Sequence, residues 1–405
     1  MLSDAATLLR ELFPPRLQSR VLLVGGSVRD SLSGLPIRDI DLISDIPEKT
    51  LLSMHFRRVE GKTTDPILFK SDPVFGKIEI TLLRKDQQLE DDLRRRDFRC
   101  NAVVMSLDGS ITDPLGGVQD IHQRLLSPCG AASLSHDPLR IFRAFRFASE
   151  GWEIGTELEA MISSGYWDEA LGKIPVERFT REMIKALGGS SPELFFACML
   201  KLGVGRCYLP ELFMMQEIPA GPPAYHGDDT LLSHSLATLQ RMAVMNGDTI
   251  ARLAAFFHDI GKLSTSPELL PRHIGHDMAG VEMARQLAIR LRLTSVQRNA
   301  LMAASRLHMT GARWVQLRDT TKLKLVEHAR KAGIAAFLPQ LVAADHGKAY
   351  ELAGWETLLQ VASYPATSLG IDAAQLESMN DPDRSALIAQ LRLKLFRQLA
   401  LRQEI

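Results

Sequence analysis

Residues 21–44 read VLLVGGSVRDSLSGLPIRDIDLIS, and this stretch decides the fold of the first part of the chain. The apolar run 21–24 predicts a buried strand that ends in a tight turn at Gly25 and Gly26. A helix without breakers follows. Glycines at a strand-to-helix turn let backbone N–H groups approach an anion, which the helix N-terminus also favours. The turn is therefore a predicted phosphate site, and Arg29 adds a guanidinium group to it.

Asp39 and Asp41 begin the next predicted strand, residues 39–44, and their spacing places both carboxylates on the same face. Adjacent carboxylates repel each other unless they share a cation, and hard oxygen ligands beside a triphosphate are typical of Mg²⁺. A phosphate-binding turn followed by a D-x-D strand is typical of nucleotidyl transfer. Both aspartates are therefore predicted to be catalytic and to hold Mg²⁺.

These two motifs, G-G-S-V-R-D and D-I-D, closely resemble the nucleotidyltransferase motif of the CCA-adding enzymes and bacterial poly(A) polymerases. The resemblance implies an α+β fold. A polymerase-β-like nucleotidyltransferase head, with a mixed sheet and helices, is followed by an all-α neck or body and an all-α HD domain. The expected divisions are a head at 1–130, a helical neck or RNA-binding domain at 131–217, an HD domain at 228–350 and a C-terminal helical segment at 351–405. The Pro- and Gly-rich residues 218–227 are the expected linker.

The composition is that of an ordinary globular protein, with 45% hydrophobic residues and four scattered cysteines that predict neither a disulfide framework nor a zinc knuckle. Lysine plus arginine equals aspartate plus glutamate, at 48 each, so any contact with RNA must come from local basic patches. No apolar run approaches the roughly 20 residues that a bilayer span needs, and no cleavable signal pattern begins the chain. A cytoplasmic location without membrane partners is expected.

An arginine motif, R-R-R-D-F-R-C-N-A, occupies residues 94–102 and resembles the R-R-D-F-T-x-N-A motif of the same family. The resemblance implies that Arg96 contacts the nucleotide, that Asp97 reads a ribose hydroxyl and that Asn101 supports the turn. Between the strand that ends near Leu83 and this motif the chain is short. Family members that complete a whole CCA end usually carry a longer loop there, so addition of CC alone remains an alternative.

A helix is predicted over residues 137–148, with Asp137 as its N-cap and with Arg140, Arg143 and Arg146 along one cationic edge. Asp137 and Arg140 resemble the E-D-x-x-R element of the family, which implies that they select an incoming C or A by hydrogen bonding. Arg143 and Arg146 are expected to hold the triphosphate or the ribose. His136 stands where the family usually has glutamate.

Glu79 lies on a predicted alternating strand, where it is either a third carboxylate near the metal or a surface charge. The final helix, which is basic and amphipathic, either contacts RNA or is simply solvated.

Eight of the eleven histidines lie between residues 226 and 346, and the adjacent pair His258 and Asp259 follows an apolar run. Such a pair on a buried face is unfavourable unless it coordinates something. With His234 and Asp345 it resembles the H…HD…D ligand set of the HD metal-dependent phosphohydrolases. The resemblance implies a divalent transition metal or Mg²⁺ on these four residues, with His276 and His308 completing a second position. Whether the domain has kept its turnover stays open.

Together the motifs predict a tRNA nucleotidyltransferase that adds CMP and AMP to the 3′ end of tRNA, from CTP and ATP, without a nucleic-acid template. Three alternatives remain. The enzyme adds only CC; it is a poly(A) polymerase; or it is chiefly an HD-domain phosphohydrolase whose head only binds nucleotide or RNA. The sequence does not indicate an oligomeric state.

Overall fold

The computed structural model describes residues 2–37, 39–59, 66–74, 76–83, 88–348, 350–371 and 377–403. The chain divides into two compact units, Met1–Leu171 and Gly172–Ile405. The first unit contains the sheet and the second is built from helices, so the predicted α+β class is confirmed. The short loop that raised the CC-only alternative includes residues 84–87, which lie outside the described part of the chain.

The first unit is organised around a mixed sheet of seven strands in the order β3-β4-β5-β2-β1-β6-β7. β1 pairs with β2 in antiparallel register, whereas β2 pairs with β5 in parallel register. A two-stranded sheet, β8 with β9, lies apart. The strands are β1 Val21–Val24, β2 Ile40–Ser44, β3 Arg57–Arg58, β4 Ile67–Asp72, β5 Gly76–Leu82, β6 Val104–Ser106, β7 Ile111–Thr112, β8 Leu125–Leu126 and β9 Glu153–Ile154.

Helices pack on this sheet and extend beyond it to the end of the first unit. The run 21–24 is buried because it occupies a central strand with neighbours on both edges. The helices are α1 Leu2–Leu12, α2 Pro15–Gln18, α3 Gly26–Leu32, α4 Glu48–Ser53, α5 Leu89–Arg94, α6 Gly117–Gln123, α7 Ser133–His136, α8 Arg140–Ser149, α9 Thr156–Ser164 and α10 Asp168–Gly172.

Helices joined by turns and loops make up the described part of the second unit. Its main apolar core includes Trp314, Leu341 and Trp355, which are almost fully buried. A short 3₁₀ helix, Ile260–Ser264, follows the HD pair. The α-helices are α11 Val176–Leu187, α12 Glu193–Lys201, α13 Pro210–Met214, α14 Pro223–His226, α15 Leu231–Met245, α16 Thr249–Phe257, α17 His276–Arg290, α18 Ser295–Gly311, α19 Asp319–Lys331, α20 Leu338–His346, α21 Trp355–Ser363 and α22 Asp381–Gln403.

Residues 218–227, the expected linker, pack against the helical core of the second unit. Ala220 is buried, its carbonyl accepts a hydrogen bond of 2.7 Å from the Lys262 ammonium, and α14 lies within the segment. The buried lysine requires that acceptor, which holds the segment in place. The predicted four-part division of the chain stays a prediction. Among the described helices, none is both long and apolar enough to span a bilayer.

Candidate functional site

The glycine turn, the D-x-D strand and the arginine motif meet at the end of β1. Gly25 has a φ of +72°, in the left-handed region, and α3 begins at the next residue. In the β1–β2 register Val24 lies opposite Asp41. A Cβ atom on Gly25 would lie 3.0 Å from Asp41 Oδ2 and 3.6 Å from Arg96 Nη1. Gly25, Asp41 and Arg96, predicted from separate motifs, are thus close together.

Three carboxylates surround the start of β2. Asp41 lies on β2, and the exposed Asp39 lies immediately before the first residue of that strand. Glu79 is the in-register neighbour of Asp41 on β5. Burial raises the pKa of Asp41; Glu79 and Asp39 raise it further, while Arg96 opposes them. Glu79 forms an ion pair with Lys77. Carboxylate oxygens grouped in this way are the ligands that Mg²⁺ prefers.

The Arg29 side chain, on α3, contacts other side chains of the first unit. Its guanidinium group donates to Asn101 Oδ1 at 2.7 Å and to Asp30 Oδ1 at 2.6 Å, and it lies 4.9 Å from the centre of the Phe147 ring. One of its terminal nitrogens, Nη2, also lies 3.5 Å from the position that a Cβ on Gly26 would take. Arg29 therefore lies beside the glycine turn and ties it to the arginine motif.

Asp97 is buried, and its carboxylate accepts hydrogen bonds on both oxygens. Arg143 donates to Oδ2 at 2.6 and 2.8 Å, while Asn101 Nδ2 and the Phe98 backbone N–H donate to Oδ1 at 3.0 and 2.8 Å. Burial alone would raise the pKa of Asp97, but Arg143 and Asn101 hold it far below its usual range. Asp97 therefore links the arginine motif to α8.

Arg140 donates to backbone carbonyls of the arginine motif and its surroundings. Nη1 bonds to the oxygens of Arg96 and Ser133 at 3.0 Å, and Nη2 bonds to Arg95 at 2.6 Å. Desolvation lowers the pKa of Arg140, which Asp97 and Asp137 oppose. Its guanidinium group thus has the acceptors that a buried cation requires.

The helix expected from Asp137 begins later, at Arg140, with Leu139 as the capping position. Asp137 is extended, and its Oδ1 accepts a 3.2 Å hydrogen bond from the Leu139 N–H, so it still satisfies a donor of the first turn. Arg146 pairs with Glu150 at 2.6 Å, one helical turn further on. The three arginines of α8 therefore have different partners and do not form one free cationic edge.

Two further residues of this site were missed in the sequence. Asp92 is buried and pairs with Arg96, whose Nε lies 3.2 Å from Asp92 Oδ2. Ser133 is also buried, and its hydroxyl donates to the Asp97 carbonyl at 3.0 Å. The i, i+4 spacing of Asp92 and Arg96 was a signal for the first. Nothing local indicated the second, since the carbonyls to which its hydroxyl donates, those of Arg96 and Asp97, lie more than 30 residues away.

The histidines and aspartates of the second unit converge from four helices and the HD turn. His234 lies on α15, and the pair His258 and Asp259 follows α16. Together with Asp345, His276 and His308 they form two groups, and within each group the ligand atoms lie within 4.8 Å of one another. Both of the groups found among the described residues are in this unit. One group contains His234, His258, Asp259 and Asp345, and the other contains Asp259, His276 and His308.

Asp259 belongs to both groups. Its Oδ2 lies 3.2 Å from His258 Nε2, while its Oδ1 lies 3.2 Å from the Nε2 atoms of both His276 and His308. His234 Nε2 lies 3.0 Å from Asp345 Oδ1, and both residues belong to the group on the Oδ2 side of Asp259. All six ligands predicted from the sequence are therefore brought together, and one carboxylate bridges the two positions.

The chemistry of these donors fits metal ions. The buried atoms His234 Nε2, His258 Nε2 and Asp259 Oδ1 have no hydrogen-bond partner among the described residues. The Nδ1 atoms of His258, His276 and His308 each lie within 3.1 Å of a backbone carbonyl, to which an N–H donates. That bond fixes the tautomer in which Nε2 keeps its lone pair for a cation.

Strong electrostatic coupling accompanies this geometry. Burial would lower the pKa of His258, but Asp259 and Asp345 raise it to about 10. Burial would raise the pKa of Asp259, but Lys262 and His258 hold it well below its usual range. Lys262 Nζ lies 2.6 Å from Asp259 Oδ2 and is buried. The sequence analysis did not predict Lys262 as a partner of Asp259.

A cavity of about 810 Å³ opens onto the ligands. Arg241, Arg272 and Lys348 line it with the ligands, as do His226 and His273, whose pKa values burial lowers. Cationic walls around carboxylate and imidazole donors suit a phosphate ester, since the cations attract its oxygens.

Two family models match the chain in the expected order. The model described as "Poly A polymerase head domain" matches residues 21–127, and the one described as "HD domain" matches residues 231–332. The first match covers the glycine turn, the D-x-D strand and the arginine motif. The second covers His234, the HD pair, His276 and His308.

Curated relatives resemble the chain across most of its length. "Multifunctional CCA protein" of Legionella pneumophila (strain Lens) is 32% identical over 335 residues, which cover 76% of this chain and 79% of the relative. Proteins of the same name from Thioalkalivibrio sulfidiphilus and Tolumonas auensis are 31% and 32% identical, with the same coverage of both chains.

Solved structures share the fold. A Bacillus stearothermophilus CCA-adding enzyme in complex with CTP has a TM-score of 0.64 at 20% identity, and the match covers 100% of this chain and 98% of that one. A tRNA nucleotidyltransferase complexed with a primer tRNA and an incoming ATP analog has a TM-score of 0.57 at 18% identity, covering 88% and 96%. From the motifs, the two family models and the curated relatives together, the chain belongs to the family of bacterial CCA-adding enzymes that carry an HD domain.

Proposed function

We propose that this chain transfers CMP and AMP from CTP and ATP to the 3′ end of tRNA without a nucleic-acid template. The observation that carries the proposal is the contact of the Gly25 turn with the Asp41 carboxylate and the Arg96 guanidinium group. This arrangement puts a phosphate-binding turn beside oxygen ligands for a cation. The chain's relatives, named multifunctional CCA proteins, support the same activity.

In the head, Asp39 and Asp41 would hold Mg²⁺, and Glu79 lies close enough to Asp41 to raise its pKa. When bound, Mg²⁺ neutralises charge on the triphosphate and on the attacking and leaving oxygens. The backbone of Gly25 and Gly26, with Arg29 and Arg96, binds and orients the triphosphate. Asp97 contacts the ribose, while Arg143 and Arg146 hold the triphosphate or the ribose.

Asp137 and Arg140 select the base under this proposal. Arg140 donates to three backbone carbonyls in this structure, so presenting its N–H groups to a base requires it to exchange one of those acceptors for the nucleotide. The exchange keeps the buried cation satisfied at each stage. Selection by fixed donors and acceptors then needs no nucleic-acid template.

The test is extension of three tRNA transcripts that end before CCA, after C and after CC. Each is incubated with CTP and ATP, singly and together, and the products are separated at nucleotide resolution. Addition that ends at CCA supports the proposal. Addition that stops after CC identifies a partial enzyme, long runs of A identify a poly(A) polymerase, and absence of extension contradicts transfer altogether.

We propose a phosphohydrolase activity for the second unit, because two groups of metal-ligating side chains share Asp259 and leave buried ligand atoms without hydrogen bonds. The four imidazoles favour a divalent transition metal, with Mg²⁺ as the other candidate. Metal ions held there supply Lewis-acid activation of a phosphate ester. Lys262 orients Asp259, and Arg241, Arg272 and Lys348 attract the phosphate oxygens.

Two measurements test this second activity. One is calorimetric titration of chelator-treated protein with Mn²⁺, and the other is an assay of phosphate-ester hydrolysis. Binding that is lost in His308→Ala and kept in His328→Ala, a histidine outside both groups, supports the site. Cytoplasmic location of both activities is part of the same proposal.

A further inference from the structure

Residues 283–318 contain no aspartate or glutamate, although acidic and basic residues are equally frequent in the whole chain. The segment covers the end of α17, all of α18 and the residues that follow it. Such a stretch is locally cationic in a protein without net charge. It contains seven arginines: Arg285, Arg290, Arg292, Arg298, Arg306, Arg313 and Arg318.

The arginines of α17 and of the turn after it form ion pairs with carboxylates, whereas, among the described residues, those of α18 and the residues after it do not. Arg285 pairs with Glu282, Arg290 pairs with Glu211, and Arg292 lies 3.9 Å from Glu177. The remaining four arginines have no ion pair with a carboxylate among the residues that the structure describes. Arg306 and Arg313 are also exposed, so their charge is directed to solvent.

Four side chains of α18 form a continuous face, which we call the α18 track: Arg298, Met302, Arg306 and Met309. Their spacings of four, four and three residues keep them within about 80° of one another around the helix and spread them over about 16 Å. Met309 lines the cavity that contains the metal ligands, and Met302 and Arg306 line a separate cleft of about 320 Å³. The track therefore connects the cleft with the mouth of the metal-ligand cavity.

The cleft has the mixed chemistry of a nucleobase site. Val281 and Leu307 contribute apolar surface, Asn299 offers an amide at its edge, and His328 and Lys331 add polar or cationic groups from α19. A nucleobase has apolar faces and a hydrogen-bonding edge, and it is linked to an anion that arginine binds. An acidic protein surface would match the arginines but not the alternating methionines.

We propose that the α18 track binds the phosphate backbone of a single-stranded RNA 3′ end and leads the terminal nucleotide into the metal-ligand cavity. This proposal rests on the phosphohydrolase function proposed above and specifies its substrate as an RNA strand. Charge complementarity and continuity with the cavity are the observations that favour this occupant.

Kinetics on two matched substrates test the proposal in the full-length, Mn²⁺-loaded protein. One substrate is a mononucleotide and the other an octaribonucleotide, each prepared with a 3′-phosphate and with a 2′,3′-cyclic phosphate. Arg306→Glu is expected to raise KM for the octanucleotide about tenfold, which corresponds to loss of one charged contact. Its kcat, and both constants for the mononucleotide, should be unchanged. Arg306→Lys should restore most of the affinity, because a phosphate contact is largely electrostatic.

Lys49→Glu makes the same charge change on an exposed lysine of the first unit and should alter neither substrate. Equal losses on mononucleotide and octanucleotide in Arg306→Glu would assign the residue to the cavity's own fold and overturn the proposal. So would a wild-type enzyme that treats the two substrates alike.

If wild type hydrolyses neither substrate, the phosphohydrolase function itself is contradicted, and the track is tested by binding alone. Fluorescence anisotropy with a labelled octanucleotide should then show weaker binding by Arg306→Glu and a salt dependence smaller by about one unit of slope. Unchanged affinity overturns the proposal. Competition by a polyglutamate peptide as effective as RNA of equal charge would identify an acidic-protein surface and overturn it as well.

Discussion

Gly25 occupies a position that cannot accommodate a side chain, because its backbone is left-handed and Asp41 lies against its Cα hydrogen. Gly25→Ala should destabilise the fold by about 1–2 kcal/mol through the backbone alone. It should also reduce nucleotide addition by on the order of a hundredfold, since it displaces the Asp41 carboxylate. Primer extension and urea unfolding measure the two effects.

Gly34→Ala is the matched control, because Gly34 has a φ of +70° and nothing within 4 Å of its Cβ position. It should lose stability through its positive φ alone, with little loss of nucleotide addition. Equal activity in the two variants would show that the contact with Asp41 is unimportant.

Asp97→Asn tests the link between the arginine motif and α8. At neutral pH it should reduce the free energy of unfolding by about 2 kcal/mol, because it weakens charged hydrogen bonds. The pKa of Asp97 is lowered on folding. Its contribution is therefore fully present above its ordinary pKa of about 4 and is lost as the pH falls toward the lowered value.

The difference in stability between wild type and Asp97→Asn should accordingly narrow between about pH 5 and pH 2, as measured by urea unfolding. Asp45→Asn removes an exposed carboxylate from the same unit and should change stability by less than about 1 kcal/mol. A difference for Asp97→Asn that stays constant with pH would refute the assignment.

The predicted ligands of the second unit came from the resemblance to the HD phosphohydrolases, and the structure brings these six side chains close together. The partners of Arg140 and Asp97 were not predictable in the same way. They lie on segments distant along the chain, and only the packing of α8 against the arginine motif decides which acceptor each guanidinium group contacts.

Among the elements, the 3₁₀ helix after the HD pair packs closely on α17. A Cβ atom on Gly261 would overlap the His276 carbonyl oxygen and the backbone of Gly280. Gly261→Ala should therefore reduce the free energy of unfolding by about 1–3 kcal/mol and weaken metal binding by His276. Thermal unfolding and Mn²⁺ titration measure the outcome.

Gly247→Ala is the control for this variant, since nothing lies within 4 Å of its Cβ position and its φ is ordinary. The idea fails if Gly261→Ala and Gly247→Ala have the same stability and the same affinity for Mn²⁺.

The protonation of the ligands at the helix ends predicts how metal binding depends on pH. His258 has a pKa raised to about 10 in the ion-free protein, so it carries a proton at neutral pH that a metal ion must displace. Affinity for Mn²⁺ should therefore rise with pH, by up to about tenfold per pH unit for each proton released. Calorimetry in two buffers of different ionisation enthalpy counts the protons. An affinity independent of pH between about 6.5 and 8.5 would contradict this expectation.

The position of β1 followed from its apolar run, and the structure confirms the predicted strand at residues 21–24. The start of α8 differed from prediction because Pro138 and Asp137 form a hydrogen-bonded turn before the helix. The order of the sheet could not be read from the sequence, because it depends on which non-adjacent strands pair.

At the scale of the whole molecule, each candidate site is built within one compact unit. The nucleotidyl-transfer residues lie in Met1–Leu171, and the histidine and aspartate ligands lie in Gly172–Ile405. Asp41→Asn should therefore abolish nucleotide addition while leaving Mn²⁺ stoichiometry in the second unit intact, and His234→Ala should do the reverse. Parallel primer extension and calorimetry on both variants check this. Loss of both properties in either variant would show that the sites are coupled.

The hydrogen bonds that occupy the Asp97 carboxylate affect its proposed role as the group that binds the ribose. A carboxylate offers about four acceptor positions. Arg143, Asn101 and the Phe98 N–H already fill them. Under the role proposed for Asp97, a sugar hydroxyl reaches this group only by displacing one of these donors, so ribose binding would require Arg143, Asn101 or the Phe98 N–H to move.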